Sequence, residues 1–160
     1  METDVLIVGA GPTGLALACQ LIRHGVDFVI IDAKDATTPF SRAIGVQART
    51  LEIYEQIGLA DKLIALGKPA EKVRMIAGGE VRGEAVLKNI GAGMSAYPFM
   101  LVVEQGKHEK LLYDNIRDHG HDVNWGQHLT TFTQDDSGVT ATVAKADGSE
   151  HVIKCKYLVG

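Results

Sequence analysis

The 160-residue sequence holds two cysteines, four prolines and one tryptophan, and it carries no excess of positive charge. Cys19 and Cys155 make neither a metal-ligand spacing nor a disulfide framework. Cys19 falls inside an apolar helical stretch and reads as a buried core thiol, a usage that fits a reducing, cytoplasmic setting. Sixteen Lys and Arg against twenty Asp and Glu leave a formal charge of −4. That balance speaks against non-specific nucleic-acid binding, which rests on positive charge. No apolar run reaches the ~18 residues a membrane span needs. The opening Met-Glu-Thr-Asp is acidic and is soon followed by glycines, unlike a secretory signal. No internal repeat, low-complexity tract or linker is present. Glycine, by contrast, is abundant: 18 residues in 160, about 11% against a usual ~7%. Glycine permits close backbone approach, so the excess points to loops that line a ligand with main chain. The length suits about one domain with a core of its own.

Val5-Leu6-Ile7-Val8, within Asp4 to Val8, is a short continuous apolar run of the kind buried on both faces in a parallel sheet. A helix follows over Leu15 to His24, stopped by Arg23, His24 and Gly25. Phe28-Val29-Ile30-Ile31, closed by Asp32, completes a strand–helix–strand unit of about 30 residues. Helices are expected over Thr50 to Ile57, Leu59 to Leu66 and Gly106 to His119. Val73 to Leu87 reads as a hairpin through Gly78-Gly79. Asn89 to Pro98 reads as irregular and Phe99 to Val103 as a strand. Leu129 to Gln134, Val139 to Ala144 and His151 to Cys155 form a meander through the Asp136-Ser137-Gly138 and Asp147-Gly148-Ser149 turns. Tyr157-Leu158-Val159-Gly160 reads as a further, separate buried parallel strand.

Gly9-x-Gly11-x-x-Gly14, between a buried strand and a helix, is the strongest local signal. The first glycine makes the tight turn, the second lets the backbone meet a pyrophosphate, and the third allows close helix–strand packing. The free N–H groups of the helix start, with Pro12 and Thr13, then face the phosphates. Asp32 lies 21 residues after Gly11, matching the acidic residue ~20 residues on that accepts ribose hydroxyls. It favours a free adenosine ribose over a 2′-phosphate. The fingerprint itself does not separate NAD from FAD. His119-Gly120-His121 has no nearby Cys or carboxylate set and reads as a solvated loop, not a metal site. Tyr54, Tyr113 and Trp125 read as core packing, and Gly91 to Ser95 as a flexible loop.

The residues Gly9 to Gly14, Asp32 and Ser41-Arg42-Ala43-Ile44-Gly45-Val46-Gln47-Ala48-Arg49-Thr50-Leu51-Glu52 resemble the N-terminal part of the class A FAD-dependent aromatic monooxygenases. These are the para-hydroxybenzoate hydroxylase-like and phenol hydroxylase-like flavoproteins. Tyr97-Pro98-Phe99 running into Glu104-Gln105, Phe132 to Asp136, and Tyr157 to Gly160 are similar too, so the likeness covers nearly the whole chain. It implies an α/β, three-layer, Rossmann-like FAD/NAD(P)-binding domain with a parallel sheet and an inserted meander. It implies FAD as cofactor, NADH or NADPH as transient donor, O2, and a small aromatic, phenolic substrate. Flavin carries such chemistry while the protein binds, orients and excludes water, so no catalytic side-chain set is expected. Arg42 would sit against FAD and Gln105 would contact the flavin. Ala33 and Leu129 join the cofactor-contacting positions, while Arg49 either lies near flavin or shapes a helix start.

The expected organisation is 1–72 as an FAD-binding portion, 73–103 as partial substrate-domain strands, and 104–160 as a return to the FAD-binding domain. Ligands of open α/β sheets sit beyond the carboxyl ends of strands. The chain stops at such a strand end, so it is expected to be truncated after 160 and inactive alone. The resemblance also places an Asp-Gly motif just past Gly160. A noncatalytic dinucleotide-binding module and an NAD-dependent oxidoreductase are the alternative readings. The aromatic substrate, the choice of nicotinamide and the oligomeric state stay open.

Overall fold

The computed structural model describes residues 1–37 and 43–160. In chain order the elements are β1 (Glu2–Val8), α1 (Pro12–His24), β2 (Phe28–Asp32), β3 (Ala43–Val46), α2 (Ala48–Glu55), α3 (Ala60–Leu66), β4 (Lys68–Pro69), β5 (Lys72–Ala77), β6 (Glu80–Val86), β7 (Leu101–Glu104), α4 (Gln105–Asp118), β8 (Asn124–Trp125), β9 (Gln127–Asp135), β10 (Gly138–Lys145) and β11 (Glu150–Val159). The fold is mixed α/β and divides into two compact units, Met1–Pro39 with Leu112–Gly160, and Phe40–Leu111.

The first unit is built on a six-stranded sheet ordered β8-β2-β1-β11-β10-β9. β8, β2, β1 and β11 run parallel, and β11, β10 and β9 form an antiparallel meander. Leu6 and Ile7 point to opposite faces of β1, yet both are buried. This double burial is what a central parallel strand requires. On one face, Leu6 and Ile31 cluster with Val139, Ala141, Val143, Ile153 and Cys155 of the meander. On the other, α1 buries Leu15, Ala18 and Cys19. The Gly25 and Val26 N–H groups close the helix by donating to the Ile22 and Leu21 carbonyls, the double bond of a Schellman end. The second half of α4 belongs to this unit. There the Cys19 thiol lies 3.6 Å from the Leu112 carbonyl and receives the Asn115 amide at 3.4 Å. Burial raises the Cys19 pKa, and the Asn115 bond lowers it only in part.

One expectation is corrected. His151 to Cys155 and Tyr157 to Gly160 are not two strands, because β11 runs unbroken from Glu150 to Val159. Its first part pairs antiparallel with β10, and its second part pairs parallel with β1, with Val5 opposite Tyr157 and Ile7 opposite Val159. Lys154 and Lys156 do not interrupt the strand. They are the exposed alternates of Ile153 and Cys155, the period-two signature of a strand with one wet face. Nor is the last part buried: Tyr157 is 67% and Val159 42% exposed.

The second unit holds a three-stranded sheet ordered β3-β7-β4, the two-stranded β5–β6 ribbon, α2, α3 and the start of α4. Leu101 and Val103 of β7 are buried, as are Leu51 and Tyr54 of α2 and Leu63 of α3. The β5–β6 turn is Gly78-Gly79 with φ of 63° and 80°. Two positive φ values are what a two-residue hairpin turn needs to match strand twist. The ribbon is otherwise unlike a buried hairpin, since Val73, Met75, Ile76, Val81 and Val86 are all exposed. Helix and strand ends elsewhere lie within about two residues of the sequence expectation, except that α1 begins at Pro12, three residues before Leu15. β3, β4 and β8 are strands that local patterning does not reveal. Among the described residues, no helix is long and apolar enough to cross a membrane.

Candidate cofactor site

The site is assembled where β1 and β2 end and α1 begins. The Gly9 N–H donates to the Ile31 carbonyl at 2.8 Å, tying the turn after β1 to the end of β2. Gly9 has a φ of 110°, which side-chain-bearing residues rarely adopt. Gly14 is required for a different reason. A Cβ there would stand 1.9 Å from the Gly9 carbonyl oxygen and 3.2 Å from the Ile7 methyl. Gly11 caps the helix in ordinary extended backbone, with φ −81° and ψ −177°. Among the described residues, a Cβ on Gly11 would meet no atom within 4 Å. The three glycines therefore do separate jobs: Gly9 sets the turn, Gly14 lets the turn touch the helix, and Gly11 leaves open space.

That space is a cavity of about 320 Å³ whose lining includes Val8, Gly9, Gly11, Pro12, Gly14 and Val159. Thr13 and Leu17 also line it. Leu17 follows Gly14 by three positions on α1, so helical spacing could have flagged it. A larger cavity, about 630 Å³, opens at the other end of β1 among Glu2, Asp4, Asp27, Asp135, Lys154 and Lys156. Asp4 and Lys156 are ion-paired there at 2.6 Å. This is the amino end of the parallel strands, away from where α/β sheets hold ligands.

Asp32 is buried, and its carboxylate bridges two loops. Oδ2 accepts the Ala10 N–H at 2.6 Å and Oδ1 accepts the Lys34 N–H at 2.8 Å. The Lys34 ammonium lies 3.6 Å from Oδ2. A carboxylate offers about four lone-pair sites, so both oxygens keep acceptor capacity. The glycine turn is thus held by Asp32 before any ligand arrives. Sequence reading had no access to this tie, or to Ala10 and Lys34 as members of the site, because the tie is made through main-chain N–H groups.

Gly9, Gly11, Pro12, Thr13, Gly14 and Asp32 therefore converge. Ala33 is exposed directly after Asp32. Leu129 is half-buried on β9 and packs against the Leu6–Ile31 cluster. Arg42 lies outside the described residues. Gln105 opens α4 in the second unit and donates its side-chain amide to Glu109 at 2.8 Å. Arg49 is exposed and pairs with Glu52 at 2.9 Å. His119 is exposed with Nδ1 2.7 Å from the Asn115 carbonyl, and His121 stacks on Phe28 at 4.8 Å. Tyr54 is buried against His108, whereas Tyr113 and Trp125 are half-buried and meet edge to face at 5.6 Å.

Main-chain N–H groups opening a helix beside an apolar cavity, with a carboxylate one strand away, define a nucleotide-binding α/β domain. The chain belongs to the FAD binding domain family, which matches it over residues 2–160. It is 35% identical over 158 residues to the rifampicin monooxygenase of Rhodococcus hoagii, covering 99% of this chain and 31% of that protein. It is 36% identical over 160 residues to the 6-methylpretetramide 4-monooxygenase of Streptomyces rimosus, covering 98% and 28%. Among solved structures it is similar to the flavin-dependent monooxygenase PieE in complex with FAD and substrate. There the TM-score is 0.87 at 25% identity, covering 100% of this chain and 30% of that one. The chain spans less than a third of the length of each of these proteins.

Proposed function

We propose that this chain is the FAD-binding portion of a flavoprotein monooxygenase that hydroxylates an aromatic, phenolic substrate with NAD(P)H and O2. The observation that carries the reading is the glycine turn. Gly11 is the one fingerprint glycine with ordinary dihedrals and, among the described residues, no neighbour at its Cβ position. A glycine at a position where the described neighbours leave room for a side chain fits a ligand pressed against the main chain. The names of the relatives, a rifampicin monooxygenase and a 6-methylpretetramide 4-monooxygenase, point the same way for the parent reaction. We read the β8-β2-β1-β11 order as Rossmann-like.

The residues present fit FAD. The N–H groups at the start of α1 would take the pyrophosphate, and Asp32, which holds the Ala10 N–H, would take the adenosine ribose hydroxyls. A free ribose suits Asp32, since a 2′-phosphate beside this carboxylate would meet like charge. Ala33 and Leu129 would be among the residues that contact the cofactor. Arg42 would offset diphosphate charge or hydrogen-bond near the ribityl chain, and Gln105 would contact the flavin, both assigned through the family resemblance. FAD supplies the redox chemistry that side chains lack. In the overall reaction one oxygen atom enters the ring, the other leaves as water, and NAD(P)H provides the two electrons.

The test is a fluorescence titration of the chain with FAD, using ADP and NAD as competitors. Saturable FAD binding that outlasts both competitors is the expected result. A folded chain that takes NAD in preference to FAD overturns the reading in favour of a nicotinamide-dependent enzyme.

A further inference from the structure

We infer that Glu109 is a positioning residue: it holds the Gln105 side-chain amide so that the carbonyl oxygen, not the nitrogen, is offered to FAD. This rests on the proposal that Gln105 contacts the cofactor. Gln105 is the first residue of α4 and Glu109 lies one turn on, i to i+4, on the same face. Glu109 is 1% exposed, whereas Gln105 is half-buried and reachable. The two meet at 2.8 Å between Gln105 Nε2 and Glu109 Oε1.

An amide can usually be turned end for end, since nitrogen and oxygen are alike in shape. The partner removes that freedom here. A carboxylate only accepts hydrogen bonds, so the amide must turn its NH2 group toward Glu109. The Gln105 carbonyl then faces away from Glu109. It is matched to a donor, such as a hydroxyl or ring N–H of the cofactor. Because Glu109 is buried, the anchor does not swing with the surface, and the amide is oriented before binding.

The test is a set of FAD affinities for wild type, Glu109→Gln, Glu109→Met, Gln105→Leu and the two double variants, read by fluorescence quenching. In Glu109→Gln the amide pairs equally well either way up, so about half the molecules present the wrong end and affinity falls about two-fold. In Glu109→Met the side chain is free to rotate, and fixing it again costs about ten-fold in affinity. Neither change has a further effect once Gln105 is Leu. Equal losses with and without the Gln105 amide overturn the inference, because Glu109 then acts by another route. So does an unchanged affinity in both Glu109 variants while Gln105→Leu weakens binding. That second result leaves the Gln105 contact standing. An unchanged Gln105→Leu affinity instead removes the contact itself.

A measurement on the ligand-free wild type covers the case of variants that do not fold. One proton of the Gln105 side-chain amide is shifted downfield in the NMR spectrum and slowed in exchange with water. Signals typical of a solvent-exposed glutamine overturn the inference with no flavin present.

Discussion

Replacing Gly14 and Gly11 in turn by alanine separates the fold from the ligand. At Gly14 the new methyl would lie 1.9 Å from the Gly9 carbonyl oxygen and 3.1 Å from its carbon, both main-chain atoms with no rotamer to yield. Overpacking of this kind costs ~1–3 kcal/mol, and a backbone-to-backbone clash belongs at the upper end. Alanine in place of glycine within a helix returns ~1 kcal/mol. The net loss is about 2 kcal/mol, or a Tm drop of ~4–8 °C at ~2–4 °C per kcal/mol for a domain of this size. At Gly11 the dihedrals suit alanine and nothing lies within 4 Å. Gly11→Ala therefore keeps or slightly raises the Tm, because a less flexible unfolded chain loses less entropy. Its methyl instead occupies the space where the pyrophosphate meets the main chain, and FAD affinity falls at least about ten-fold, ~1.4 kcal/mol. Thermal melts followed by circular dichroism, paired with FAD titrations, read both effects. A Gly11→Ala protein that melts as low as Gly14→Ala, or that binds FAD like wild type, refutes the division of labour among the glycines.

Tyr54→Phe removes the 2.8 Å bond to His108 Nε2. Among the described residues, Nδ1 of that buried ring already lacks a partner. The ring is then left without hydrogen bonds, and denaturant melts are expected to show a loss of ~1–3 kcal/mol. Burial holds the His108 pKa below the ordinary histidine value. Its NMR titration therefore moves to lower pH than that of a solvent-exposed histidine. Asp135 and Asp147 are held below the ordinary aspartate range by the Ser137 and Ser149 hydroxyls, at 2.5 and 2.6 Å, and by the N–H groups of the same serines. A depressed folded-state pKa adds stability above the unfolded value near ~3.8, and that contribution is lost as pH falls through the folded value. Ser137→Ala should raise the Asp135 midpoint measured by NMR and leave that of Asp147 in place. Burial raises the pKa of both Cys19 and Cys155. Neither thiol should react with an aromatic disulfide reagent until denaturant is added, and prompt reaction of the native chain would contradict their burial.

Features set by neighbouring residues were legible in the sequence. Gly9 to Gly14 and Gly78-Gly79 are local conformational demands, and α1 announces its own end with Arg23, His24 and Gly25. Features made by distant partners were not. β3 exists because Ala43 to Val46 pair with Leu101 to Glu104, and β8 because Asn124 and Trp125 pair with Ile31 and Asp32. Neither segment is long or regular enough to be a strand alone. Asp32 was legible as a ribose acceptor from its spacing, yet its bond to Ala10 could not be, since any residue but proline there would supply the same N–H. The β5–β6 turn was readable, while the exposure of its apolar side chains was not, because alternation says only that a face could be buried.

The pairing of β1 with β11 gives the sheet an unusual assembly problem. With the order β8-β2-β1-β11-β10-β9, this seam divides the six strands three and three. It joins Glu2 to Lys154 and Ile7 to Val159. The two halves are each stitched largely by closer neighbours in sequence, but their union waits for segments some 150 residues apart to meet. Such long-range closure is slow, because loop entropy is surrendered before the contact rewards it. During synthesis, β1 has β2 on one flank and an open hydrogen-bonding edge on the other until β11 emerges. For that interval a strand carrying Val5, Leu6, Ile7 and Val8 is an adhesive edge, open to pairing with any other nascent chain.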